Sequence, residues 1–289
     1  MVLKLLRSQL PAALLTLKTK APQSQHMCGL IQAELFAGLE WFNFVVDKWP
    51  DFTCIAATPE EWLIKKIPNI DDNVRVSVFS HGSDAVTTTF LQQCGINFQN
   101  KICFSAIEEN IIRCIKNMTP TQGTIRVTEP CFMFGVHNKV SNMSKDIESN
   151  GVIVDELRES DVDYVNATWT FGGNVHTRAF ISNLVESFPT SCIRDKETHS
   201  IYAHMMLSSD LSMGMLHVEE SKRRLGYGST VINNLAAKVI QIGGIPFWYV
   251  VTDNLTSTAM SKRNGRTLCD DIFSWATYLP HKSNEEKFN

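Results

Sequence analysis

The chain has 289 residues, 27 Lys and Arg against 30 Asp and Glu, 44% hydrophobic residues and 20% charged ones. That composition excludes a disordered, collagen-like or coiled-coil chain, and the length predicts two domains with a core each. A net charge of −3 gives no global reason to expect nucleic acid or an anionic membrane as a partner, and no apolar run approaches the ~20 residues that span a bilayer.

Residues 1–33 contain no acid but carry Lys4, Arg7, Lys18 and Lys20 among leucines at helical spacing. Two readings fit: a mitochondrial transit peptide, or the first amphipathic helix of the domain, closed by Pro22. The compartment expected is accordingly cytoplasmic or mitochondrial. Beyond this segment, 30–36, 52–57, 74–79 and 124–134 read as strands, rich in Val, Ile, Phe and Thr. Residues 83–94 and 105–118 read as helices, the second opened by Ser105 with Glu108 three positions on, as in a capping box. Residues 138–150 are polar and suggest a boundary between domains at 1–145 and 146–289. Then come a strand at 151–156, helices at 161–170 and 175–188, two short strands around residues 195–198, and a strand at 212–218. Mixed strands and helices of this kind imply an α+β (α/β mixed) fold, and no internal sequence repeat is visible.

The eight cysteines are scattered, with no C-x-x-C pair and no Cys/His cluster, so reduced, buried thiols are expected and no metal site. Four N-x-S/T sequons, at Asn117, Asn142, Asn166 and Asn254, carry little weight without a secretory signal. Trp41, Trp49, Trp169 and Trp248 read as packing residues, Phe132–Met133–Phe134 as a buried strand, and the polar tail 282–289 as a fraying end.

Chemistry concentrates in residues 213–240. A strand, MGMLHV, runs into a charged, glycine-bearing loop, EESKRRLGYGS, and then into a helix with Val231, Ile232, Leu235, Ala236, Val239 and Ile240 on one stripe. A loop entering a helix N-terminus this way is an anion site, because free N–H groups and the helix dipole both favour negative charge. Gly226 and Gly228 let backbone approach a phosphate, and Lys222, Arg223 and Arg224 add positive charge. The spacing fits neither the Walker A loop nor the dinucleotide fingerprint. A solvated basic turn is the plainer alternative.

Arg223-Arg224-Leu225-Gly226-Tyr227-Gly228 is similar to the R/Q-x-x-G-x-G/A signature of the GNAT superfamily of CoA-dependent acyltransferases. A closer resemblance extends over nearly the whole chain. Residues 45–52 (VVDKWPDF), the W-T-F-G-G-N run from Trp169 with Arg178-Ala179-Phe180-Ile181, and the S-F-P-T-S-C run from Ser187 resemble animal glycine N-acyltransferases. The resemblance implies a C-terminal GNAT sheet flanked by helices. It also implies no permanently bound cofactor, acyl-CoA or acetyl-CoA as co-substrate, and a small amine such as glycine as acceptor. By the same resemblance the CoA contacts fall on Leu216, His217, Val218, Arg223, Arg224, Leu225, Gly226, Tyr227, Gly228, Ser229 and Asn254, with N–H groups of 216–218 polarising the thioester.

The sequence departs from the family at the base. Where glycine N-acyltransferases place a glutamate at the start of the signature strand, Ser212 stands, and the position of the superfamily's proton-donating tyrosine holds Ser261. Asp210 and His217 are the candidate catalytic bases; Glu219 and Glu220 read as exposed ion-pair partners. Cys192 and Cys269 have no partner in sequence for covalent catalysis, which favours direct transfer. Two alternatives stay open: a protein or peptide N-acetyltransferase of the same fold, and an acyl-CoA-binding module without catalysis. The first 140 residues could frame the acceptor site or be a degenerate second copy of the same fold.

Overall fold

The computed structural model describes residues 2–66, 75–136 and 151–281. The chain starts with a short strand β1 (Leu3–Lys4) paired with β2 (Phe42–Val46). Helix α1 (Leu10–Lys18), with Pro11 in its first turn, buries Leu10, Ala13, Leu14 and Leu17. That i, i+3, i+4, i+7 stripe makes the basic N-terminal segment part of the core. Residues 30–36, expected as a strand, instead belong to helix α2 (Gln25–Ala37). Met27, Cys28, Leu30, Ile31 and Ala33 are buried round most of its circumference, so the sequence shows a continuous apolar run rather than a helical period. Gly38, at φ +66°, ends it with the left-handed cap that glycine adopts freely.

Next in the chain are β3 (Cys54–Pro59), α3 (Glu61–Lys66), β4 (Ser77–Ser80), α4 (Asp84–Gln93), β5 (Ile102–Glu108), α5 (Glu109–Met118) and β6 (Gly123–Val136). Ser83 caps α4, as its hydroxyl accepts the Val86 N–H. Ser105 does not cap α5: it lies inside β5, donating its N–H to Val76, and the helix starts only after Glu108. The run Ile102–Glu108 is buried at most positions, and burial overrides the local capping pattern.

The second half comprises β7 (Val152–Asp155), α6 (Val162–Thr168), α7 (Val175–Ser187), β8 (Thr190–Asp195), β9 (Ile201–Leu207), β10 (Met213–Val218) and α8 (Tyr227–Gln241), close to the expected bounds, and then β11 (Phe247–Val251). Two further elements, α9 (Leu255–Asn264) and β12 (Gly265–Pro280), have no counterpart among the expected ones. The acids Asp270 and Asp271 obscure β12 in sequence, at the place where its register against β6 shifts. The polar stretch 138–150 and the tail 282–289 lie outside the described residues.

Set side by side, the two halves repeat one order: strand, two helices, three strands, helix, strand, helix, strand, with α3 as an insertion in the first. The sheets run β1-β2-β3-β4, β5-β12-β6-β11 and β10-β9-β8-β7. The last strand of each half is therefore exchanged: β12 pairs with β5 of the first half, and β6 pairs with β11 of the second. Trp248 and Phe134, partners across the β11–β6 ladder, stack with ring centroids 6.2 Å apart and bind the halves through their cores.

Candidate active site

Strand β10 is the edge of its sheet and β11 the edge of the next, with no backbone ladder between them among the described residues. The β10–β9 register shifts between Gly214 and His217, and Met215 sits at φ +52°. A non-glycine residue held in that region inside a bulge is strained backbone of the kind that re-aims groups at functional sites. Glu219 donates its N–H to Tyr202 on β9. Antiparallel alternation therefore turns the neighbouring Val218 N–H away from β9, to the β11 side. Leu216 lies in the bulge between the two.

The loop leaves β10 through a short turn, Glu220–Lys222, and reaches α8 through Arg224 at φ +64° and Gly226 at φ +83°. Arg223, Arg224, Leu225 and Gly226 are exposed. Thr230 is the first residue whose N–H bonds back to Gly226, so those of Tyr227, Gly228 and Ser229 have no intrahelical acceptor, as at any helix start. A Cβ on Gly228 would lie 3.4 Å from Val218 and Met260, which places this helix start directly on the end of β10. Tyr227 is buried in a stack on Tyr202, and the Lys222 ammonium lies 4.2 Å from the Tyr202 ring centre. An open cleft of about 480 Å³ borders this loop, between Tyr164, Tyr202, Glu219 and Lys222.

The remaining expected residues have definite surroundings. Asn254 caps α9 with its carboxamide oxygen, 3.0 Å from the Ser257 N–H. Ser261 accepts the Trp248 indole N–H at 2.8 Å inside the core. His217 stands opposite His204 across the β10–β9 ladder, the rings 5.7 Å apart, with Glu219 at 3.8 Å. His204 is fully buried and bonds Thr168 Oγ1 through Nε2. Burial, and then the neighbouring His217 charge, push its pKa down to about 3, so it is neutral at physiological pH.

Asp210 is not a free carboxylate. It lies in the β9–β10 turn beside Leu211 at φ +57°, only 4% exposed. Its Oδ1 accepts the Ser212 N–H at 3.2 Å and the Ser212 hydroxyl at 2.6 Å; its Oδ2 is 2.7 Å from His26 Nδ1. Burial pulls its pKa upward, but the His26 charge and the bonds from His26 and Ser212 outweigh burial and hold it below the ordinary carboxylate range. His26 comes from α2 of the other half, and its Nε2 lies 2.9 Å from Ser77 Oγ and 3.1 Å from Ser105 Oγ. The Tyr249 hydroxyl stands 3.4 Å from Nδ1. Gly29 makes this possible: a Cβ there would fall 1.8 Å from the Asp210 carbonyl oxygen. The two candidate bases are thus not one site, since Asp210 precedes β10 and His217 is near its far end, on the order of 15 Å along the strand.

No sequence signal marks His26, Ser77 or Ser105, because folding brings them to Asp210 from three distant segments. The seven cysteines whose side chains are described are buried thiols outside any disulfide, and burial pushes Cys192 up to about 11, which leaves it inert as a nucleophile. No group of three His, Cys, Asp or Glu side chains among the described residues could hold a metal.

Residues 3–189 match the family model of aralkyl acyl-CoA:amino acid N-acyltransferases, and residues 192–272 that of FR47-like proteins. The chain is 22% identical to glycine N-acyltransferase of Rattus norvegicus over 216 residues, 69% of this chain and 73% of that protein. To glycine N-phenylacetyltransferase of Bos taurus it is 20% identical, over 59% of this chain and 63% of that one. Among solved structures, a Drosophila protein superposes with a TM-score of 0.74 at 17% identity, covering 96% of this chain and 98% of the other. A tandem GNAT protein of clavulanic acid biosynthesis superposes at 0.54 and 11%, covering 98% and 99%. The last agrees with the doubled element order seen here, and the chain is an acyltransferase of GNAT fold that belongs to the aralkyl acyl-CoA:amino acid N-acyltransferase family.

Proposed function

We propose that this enzyme transfers an acyl group from acyl-CoA directly to a small amine, an amino acid such as glycine. The observation that carries the reading is the unladdered β10–β11 pair, with its bulge at Met215, opening onto the exposed loop and free N–H groups at the start of α8. That geometry supplies N–H donors for a pyrophosphate and, at Val218 and the bulge, donors for a developing oxyanion. Arg223 and Arg224 add charge beside the phosphates, Leu225 and Tyr227 frame the loop, and Asn254 stands at the next helix start. The labour divides at about residue 145, with acyl-CoA held by 146–289. The glycine N-acyltransferases that match support the acceptor class. The buried cysteines favour direct attack over an acyl-thiol intermediate.

The test is a thiol-release assay of acyl-CoAs against a panel of amino acids. Release that depends on one or a few amino acids is expected; release with peptide amines only would reassign the acceptor. Ser212 in the family's glutamate position favours a second reading, an acyl-CoA-binding protein without turnover. Acyl-CoA that raises Tm while no amine releases thiol would establish it.

A further inference from the structure

At the base of β10 the polar groups are already engaged: Asp210 holds His26, and the Ser212 hydroxyl is donated to Asp210. Further along the strand the surroundings change. Gly214 pairs with Met206 and His217 with His204, two residues apart on β9. Cross-strand partners share a face, so the bulge at Met215 and Leu216 leaves Gly214 and His217 on one face of the sheet, about 7 Å apart. Helix α6 packs on that face, where Tyr164 meets the His217 ring at 6.1 Å and Thr168 bonds His204. Beside Gly214 the face is open: beyond its chain neighbours, a Cβ there would find no atom within 4 Å. The His217 side chain is itself 25% exposed. Its Cα lies two bonds, about 2.4 Å, from the Val218 nitrogen, whose N–H turns to the β11 side. An acyl carbonyl accepting that N–H is therefore within one side-chain length of the imidazole. The titratable groups facing His217 are His204 from β9, Tyr164 from α6 and Glu219 just after β10. Glu219 Oε1 lies 3.8 Å from His217 Nε2 and is fixed by the Tyr164 hydroxyl, which donates to it. His204 is neutral and adds no repelling charge, so an imidazolium formed at His217 faces the Glu219 carboxylate.

We propose that the acceptor amine sits over Gly214 and that His217 is the catalytic residue that takes its proton, in place of a glutamate at the start of the strand. The acceptor's ammonium first releases one proton to water. As the N–C bond forms, the amine nitrogen gives a second proton to the His217 imidazole. The C–S bond then breaks, its electron pair leaves on the CoA thiolate, and the proton on His217 passes to that thiolate. Glu219 and Tyr164 act as positioning residues for the ring. The inference rests on the acyltransferase reading above.

The experiment compares wild type, His217→Gln, His217→Ala and Gly214→Val in thiol release across pH 5.5–9, with the acyl-CoA and amino acid that the panel above selects and acyl-CoA-induced Tm shifts measured in parallel. The expected result is a kcat lower by about 10²-fold or more in His217→Gln, with the Tm shift retained and the acidic limb of the kcat profile flattened. Added imidazole is expected to restore part of the rate to His217→Ala, which a merely structural role would not allow. Gly214→Val places its side chain in open space, so it is expected to keep wild-type Tm even if the His217 variants fail to fold. It should retain the acyl-CoA shift and raise the acceptor KM by about tenfold or more. Wild-type kcat with the acidic limb intact in His217→Gln, or an unchanged acceptor KM in Gly214→Val, overturns the proposal. A wild type that neither shifts nor turns over acyl-CoA fails the functional reading instead.

Discussion

The two halves share an element order and differ in the segment that leaves the last strand before the sheet exchange, β4 in one and β10 in the other. After β4 the chain turns within residues 81–83 into α4, capped by Ser83. After β10 it takes residues 219–226, with three basic side chains and Gly226 at φ +83°, to reach α8. The first half also closes its groove: Val76 bridges to Phe104, so β4 and β5 are joined, whereas β10 and β11 are not. The difference teaches that the fold alone does not make the site. One copy keeps the architecture, seals the groove and lends His26; the other keeps the groove and a loop that can take an anion.

The largest effect that sharpens this comparison is expected at Arg194, buried in the second half on Asp161 at 2.7 Å and Asp155 at 3.1 Å. Arg194→Met leaves the buried Asp161 carboxylate without its ion partner, while Asp155 keeps Arg158 at 2.7 Å, and is expected to cost about 3–5 kcal/mol in chemical denaturation. In the first half, Arg113 pairs with Asp84 in the open, and Arg113→Ala is expected to leave Tm unchanged within error.

Acid and base sensitivities are expected to run in opposite directions. His204 in the second half has its pKa lowered by burial from 6.5 to about 3, so the unfolded chain binds the extra proton between those values. Its contribution is present above 6.5 and declines as pH falls; roughly 2 kcal/mol should be gone by pH 5. Glu34 in the first half, buried while accepting the Trp41 and Phe42 N–H groups, is raised from 4.5 to about 7 by burial. Its contribution is present below 4.5 and is lost as pH rises past about 7, roughly 3 kcal/mol in all. Denaturation midpoints against pH check both: His204→Gln should flatten the acidic side, and Glu34→Gln the neutral side.

A smaller effect is expected at the equivalent helix starts. Ser83→Ala removes the α4 cap and should cost about 0.5–1 kcal/mol without altering acyl-CoA binding. Gly226→Val forces a β-branched residue to φ +83° and should abolish that binding while the rest of the fold stays intact.

Local features are legible in the sequence and non-local ones are not. The strand–loop–helix of 213–240 carries its own period, glycines and charge, so its bounds and its anion chemistry come from the residues themselves. Helix α2 reads as a strand because burial on most sides erases its period, and Ser105 reads as a cap because a strand interior can hold a capping pattern by chance. The exchange of β6 and β12 has no local signature, since each strand reads the same whichever copy it joins. Asp210 is visible as a carboxylate near the signature strand. Its clamp to a histidine from the opposite half is not, because the pairing depends on the close approach that Gly29 permits.

The most direct measurement is a calorimetric titration of the full chain with CoA, repeated on Gly226→Val and Ser83→Ala. One CoA per chain, lost in Gly226→Val and retained in Ser83→Ala, is the predicted result. Two CoA per chain, or binding indifferent to Gly226→Val, would contradict the assignment of acyl-CoA to the second half alone.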